Sequence, residues 1–134
     1  MQLVRLIYTS KLNDGIDPSE LARIHETALL NNAKSGMTGL LAFGNDYFLQ
    51  VLEGGRVEIN HLYSNLSKDP RHKEALLLQY TEIVERDFDQ WSMKLVMLTN
   101  QKKILFRKFS TTDDFDTFKL SGESAYRLLL ALRD

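Results

Sequence analysis

No cysteine occurs among the 134 residues, so disulfides, thiolate catalysis and cysteine metal sites are excluded together. An excess of one charge is missing too: 17 Lys and Arg face 18 Asp and Glu, a formal net charge of −1. That balance offers little to a phosphate backbone or an anionic bilayer. We therefore expect no nucleic acid and no membrane among the partners. No apolar run approaches the roughly 20 residues that cross a bilayer. Met1-Gln2-Leu3-Val4-Arg5 lacks the lead-in of a signal peptide, so a cytoplasmic protein is expected. The three histidines, His25, His61 and His72, show no paired ligand spacing, and no metal site is expected. P-loop, Gly-x-Ser-x-Gly and Gly-x-Gly-x-x-Gly patterns are absent as well.

What is present is an ordinary globular balance, with 43% hydrophobic and 26% charged residues in a length that suits one domain. Leu3 to Ser10 reads as a strand with Leu3 and Ile7 on one face and Val4, Leu6 and Tyr8 on the other. Apolar residues on both faces predict a strand covered on both sides. After a turn at Asn13-Asp14-Gly15, Asp17-Pro18-Ser19-Glu20 opens a helix as cap, first-turn proline and capping box. Its buried stripe runs through Leu21, Ile24 and Ala28, and fraying is expected near Asn31-Asn32. Gly39 to Gly44 and Tyr47 to Gly54 predict a hairpin around Asn45-Asp46. A second helix starts near Arg56 and stops at Lys68-Asp69-Pro70, and strands follow over Ala75 to Val84 and Met93 to Leu98.

The order β-α-β-β-α-β-β is an α/β (α+β) plan, a ferredoxin-like split unit with one added strand in a five-stranded mixed sheet. Two helices on one face leave the other face bare. The tail from residue 101 to 134 supplies a cover, because Ala125, Leu128, Leu129 and Leu132 recur at helical spacing. Ile104, Leu105, Phe106 and Phe109 mark a further short helix or strand before it.

Two polar side chains interrupt apolar strands. Tyr8 shares a face with Leu6 and Val4, and Gln50 breaks the run Tyr47-Phe48-Leu49-Gln50-Val51-Leu52. In a split βαβ sheet the first and third strands are central neighbours, so phenol and carboxamide can meet on the helix-covered face. A buried carboxamide without a partner costs about 1–3 kcal/mol. Taken singly, either residue has a bland explanation: Gln50 facing solvent, Tyr8 filling core. Asp87 and Asp89 read most simply as solvated, Trp91 and Met93 as one face of a strand, and Lys68, Arg71, His72 and Lys73 as a surface cluster.

Together these segments resemble the BLUF family, blue-light sensors that use FAD. The resemblance runs through Leu6-Ile7-Tyr8-Thr9-Ser10, Asn31-Asn32 with Met37-Thr38-Gly39-Leu40-Leu41, and Phe48-Leu49-Gln50-Val51-Leu52-Glu53-Gly54. It continues through Asp69-Pro70-Arg71-His72 to Trp91-Ser92-Met93, covering residues 1–100 as a flavin-binding core. Glu53 and Gly54 read as the exit of their strand, without chemistry.

The resemblance implies a flavin ring between the two helices, with Asn31 and Asn32 on its pyrimidine edge and Ile24, Leu66 and Phe48 against it. Gln50 faces the ring with Tyr8 behind, and Arg71, with Lys68 or His72, meets the phosphates of FAD. FMN and riboflavin share the ring contacts. The implied mechanism has Tyr8 give an electron and a proton to the excited flavin; after recombination Gln50 is rearranged, and Trp91 and Met93 relay the change to the tail. The chain then acts as a short stand-alone sensor, not an enzyme, signalling through a homo-oligomer or to a separate downstream protein. A flavin-dependent redox enzyme in the same pocket, or a ferredoxin-like module for another small ligand, remain the alternatives.

Overall fold

Alternation along the strands decides which side of the sheet each residue serves. The computed structural model describes residues 2–112 and 114–134. Its strands are β1 (Leu3–Leu12), β2 (Thr38–Gly44), β3 (Tyr47–Gly55), β4 (His72–Glu82) and β5 (Lys94–Met97). The helices are α1 (Leu21–Ser35), α2 (Arg56–Ser67), α3 (Lys103–Arg107) and α4 (Gly122–Arg133). The sheet order is β4-β1-β3-β2-β5, antiparallel throughout except for the parallel β2–β5 pair. This is the expected mixed five-stranded plan, with β1 and β3 adjacent at its centre.

Side chains of even number on β1 and β3, among them Leu6, Tyr8, Phe48 and Leu52, join one core with α1 and α2. Their odd neighbours Ile7, Leu49 and Val51 join a second core closed by Phe106, Phe115, Leu120 and the α4 stripe Ala125, Leu128, Leu129 and Leu132. The tail thus covers the face that two helices leave bare. Burying such leucines contributes about 1.5–3 kcal/mol each, which is what holds a tail of short elements in place.

Local chemistry moves several boundaries from the expected ones. Asp17 caps one turn of 3-10 helix at Pro18–Glu20, accepting from the Ser19 N–H at 2.9 Å, and α1 proper begins only at Leu21. The helix does not fray at Asn31-Asn32. It runs on to Ser35 and ends where Gly36 takes a left-handed φ of 68°, its N–H bonding the Asn32 carbonyl. The hairpin closes with φ of 51° at Asn45 and 63° at Asp46, the pair of positive values a type I′ turn requires. β4 begins earlier than expected because β1 continues past Ser10 and pairs Leu12 with His72, with a register shift between Thr9 and Lys11. Among the described residues no helix is long and apolar enough to cross a membrane.

Candidate functional site

Tyr8 and Gln50 are direct partners across β1 and β3, and only 3% and 4% of their surfaces are exposed. The Tyr8 hydroxyl donates to Gln50 Oε1, and Gln50 Nε2 donates to the Met93 thioether sulfur at 3.6 Å. Both ends of the buried amide are therefore engaged, one strongly and one weakly, since a thioether is a poor acceptor. Burial, reinforced by nearby Tyr63 and Asp69, pushes the Tyr8 phenol far above its usual range, so it keeps its proton. The Tyr63 ring packs edge-on against Tyr8 with centroids 5.5 Å apart.

These two side chains form the floor of a cavity of about 160 Å³ between α1 and α2. By that measure a single water needs ~15 Å³, so the space is ligand-sized. Ile24, Asn31, Asn32, Phe48, Leu66, Arg71 and His72 line it with Tyr8 and Gln50, as the resemblance implies. Lys68 does not line it: it caps the end of α2 and stays exposed. Ser10, Thr27, Asn65 and Asp69 also line the cavity. Of these, Ser10 was legible two residues beyond Tyr8 on the same strand face, and Asn65 one residue before Leu66. Asp69 was legible only within the Asp69-Pro70-Arg71-His72 segment.

The polar walls carry a deficit. Ser10 Oγ, Asn32 Oδ1 and both ring nitrogens of His72 are buried and have no hydrogen-bond partner. Each orphan of this kind costs about 1–3 kcal/mol, and all three residues line the one cavity. Asn32 shows the asymmetry best: its Nδ2 donates to the Ser92 carbonyl at 2.7 Å, while Oδ1 is left over. Burial pushes the His72 imidazole below its usual value, against the opposing pull of nearby Asp69. A flat aromatic ligand with donors and acceptors along one edge, such as a flavin ring, fits this donor set and the aliphatic walls.

At the cavity mouth Arg71 Nε donates to Asp69 Oδ1 at 3.1 Å and Nη2 to Oδ2 at 2.7 Å. Desolvation acts upward on Asp69, but the bonds from Arg71 outweigh it and hold the carboxyl below its ordinary range. Arg71 thus reaches the mouth as half of an ion pair, with Nη1 left for an outside anion.

Trp91 and Met93 are not on one strand face as expected. β5 begins only at Lys94, so residues 91–93 lie outside the pleat that would align them. Met93 is buried against Gln50, whereas the half-buried Trp91 ring lies under Lys94 Nζ at 4.4 Å. Glu53 and Asp87 also depart from their expected roles. Glu53 is fully buried on the tail side, where it accepts from Arg5 and from the N–H groups of Asp87 and Phe88. Asp87 is not merely solvated: it accepts from Arg5 at 3.0 Å and from the Tyr126 hydroxyl of α4 at 2.6 Å.

The family model for BLUF, sensors of blue-light using FAD, matches residues 3–94, more than half the chain. This chain belongs to the BLUF family. BLUF proteins are flavin-binding blue-light photoreceptors. The photoactivated adenylate cyclase subunit beta of Euglena longa is 33% identical over 94 residues, which are 69% of this chain and 11% of that protein. The chain thus spans only a small part of the curated relatives it matches. Two solved BLUF structures match it nearly end to end. The photo-activated state of BlsA gives a TM-score of 0.89 at 28% identity, covering 98% of this chain and 94% of that one. BlrB in its dark state, at the same identity and coverages, gives 0.78.

Proposed function

We propose that this BLUF chain senses light without turning over a substrate, that its flavin is FAD, and that Tyr8 and Gln50 form the switch. The observation that carries the reading is the Tyr8 hydroxyl bonded to Gln50 Oε1 at the wall of a cavity where Ser10 Oγ, Asn32 Oδ1 and the His72 ring nitrogens lack partners. Bound flavin supplies the blue absorption and, once excited, a strong one-electron oxidant.

The chain's own residues do the rest. Tyr8 is held neutral by burial, so it can give up an electron and its phenolic proton together and take both back. While that proton is away Gln50 loses its donor, and its amide can rotate, because the Met93 sulfur holds the other end only weakly. Rotation would present the amide's other group, donor in place of acceptor, to a flavin bound beside it, and the turned amide would outlast the return of the proton. With flavin bound, Asn32 Oδ1 would accept from a ring N–H, Asn31 would complete that edge, and Ile24, Leu66 and Phe48 would exclude water. Arg71 and His72 would hold the phosphates, with Lys68, exposed outside the cavity, adding charge.

Residues 1–100 form the flavin-binding unit and residues 101–134 the output, with Met93 and Trp91 as relay. The signal passes to a separate protein or through a homo-oligomer in the cytoplasm. The absorption spectrum of the purified protein, taken in darkness and just after blue light, tests this reading. A structured flavin band that moves slightly to the red and returns in the dark is the expected result. A band that bleaches, or one that does not move, would overturn it.

A further inference from the structure

Residues 91–93 touch both sides of the molecule. On the cavity side two consecutive carbonyls are held by side chains of α1: Ser92 by Asn32 at 2.7 Å and Met93 by His25 Nε2 at 2.8 Å. His25 and Asn32 are seven residues apart, two helical turns, so one helix face makes both bonds. The Trp91 carbonyl accepts from the Gly39 N–H of β2 at 3.1 Å, and on the tail side the indole lies under Lys94. Lys94 Nζ in turn donates to the Arg133 carbonyl at the end of α4, at 2.9 Å.

We propose that His25 is a positioning residue: by donating to the Met93 carbonyl it keeps the thioether, rather than the Trp91 indole, against the Gln50 amide. This rests on the reading of Tyr8 and Gln50 as the switch. The two candidate neighbours are opposites in chemistry. A thioether only accepts, and weakly, so Gln50 Nε2 points to it and stays free to turn. An indole N–H only donates, so in that place it would hold the amide oxygen and compete with Tyr8 for it. Without the His25 donor, Asn32 alone would tie the segment to α1, and one bond is a pivot where two are a clamp.

Trp91 is the sole tryptophan, so its fluorescence reports its own position. The test compares acrylamide quenching of Trp91 and the light-induced absorption shift in flavin-loaded wild type, His25→Ala and His25→Gln. One net hydrogen bond shifts such a ratio about two- to tenfold. In His25→Ala the ratio of indole-inward to indole-outward chains rises by that factor, so the quenching constant of Trp91 falls, and the time for dark return changes with it. His25→Gln, which restores an amide donor, returns both readouts to wild type. Unchanged Trp91 quenching in His25→Ala, or equal deviation in the two variants, would overturn the proposal. If His25→Ala does not fold, His25→Leu keeps the volume without the donor and takes its place under the same two outcomes. A wild type without any light-induced shift would sink the switch reading, yet the quenching comparison would still decide the role of His25.

Discussion

Arg5 and Glu53 form a buried ion pair at 3.2 Å on the face of the sheet that α4 covers. The Arg5 guanidinium also reaches Asp87 at 3.0 Å and Gln79 at 3.1 Å, and lies 4.0 Å from the Tyr126 ring centre. Glu53 holds two backbone N–H groups of the segment after β4. Removing Glu53 leaves two amides without their acceptor while Arg5 keeps Asp87 as a counter-charge, so the loss falls below that of a fully stranded buried charge, at about 1–3 kcal/mol. Glu53→Ala is therefore expected to lower unfolding stability by that amount in urea. Glu53→Gln, which still accepts from Phe88 N–H, costs less. A loss in Glu53→Ala of under about 1 kcal/mol, the net worth of an ordinary hydrogen bond, would show that the pair is hydrated in solution.

That cluster was not legible in the sequence, and the reason is physical. Arg5 and Glu53 lie 48 residues apart, and Arg5 and Asp87 lie 82 apart, so no local pattern joins them. A charged residue on a strand also looks the same whether it faces solvent or a later helix. Tyr8 and Gln50 were legible because each stands in an apolar run whose alternation fixes its face, and the strand order then brings them opposite. The α4 stripe was legible by its spacing. The positions of Trp91 and Met93 were misread because period-2 spacing has meaning only inside a strand, and β5 starts at Lys94. The pairing of Asp69 with Arg71 stayed hidden because a carboxylate beside Pro70 signals a turn before it signals a partner for Arg71.

The shared hydrogen bond of Tyr8 and Gln50 separates binding from switching. Tyr8→Phe keeps the ring packed against Tyr63 and leaves the cavity shape intact, but removes the electron and proton donor. Flavin binding is expected to persist while the light-induced red shift disappears. Gln50→Leu keeps the bulk and removes the amide that turns, with the same expected outcome. A full red shift in either variant by difference spectroscopy would refute the assigned switch.

Asn32 and Asn31 are adjacent in sequence but unequal in burial, since Asn32 is fully buried and Asn31 exposed. Asn32→Ala removes the orphan acceptor and also frees the Ser92 carbonyl. Flavin affinity is expected to fall about two- to tenfold, the net worth of one hydrogen bond. Asn31→Ala, whose lost contact is replaced by water, falls less. Titration of flavin fluorescence gives both numbers, and an equal or reversed ranking would mean that Asn32 serves the Ser92 segment and not the ligand.

His72 gives the flavin-free protein an acid limit. Burial lowers its pKa on folding, so the unfolded chain binds this proton more readily than the folded one. The stability tied to a neutral His72 is whole above the unfolded value of about 6.5 and is lost as pH falls from there through the folded value. Melting temperature is expected to begin dropping as pH falls below about 7, before most carboxylates begin to titrate. His72→Gln, which cannot take the proton, should flatten that limb. Bound flavin should flatten it as well, because a ligand that accepts from the ring nitrogens gives the buried imidazole the partner it lacks. If the limb survives His72→Gln unchanged, the acid sensitivity belongs to another group and the imidazole at the cavity mouth is already hydrated in the folded state.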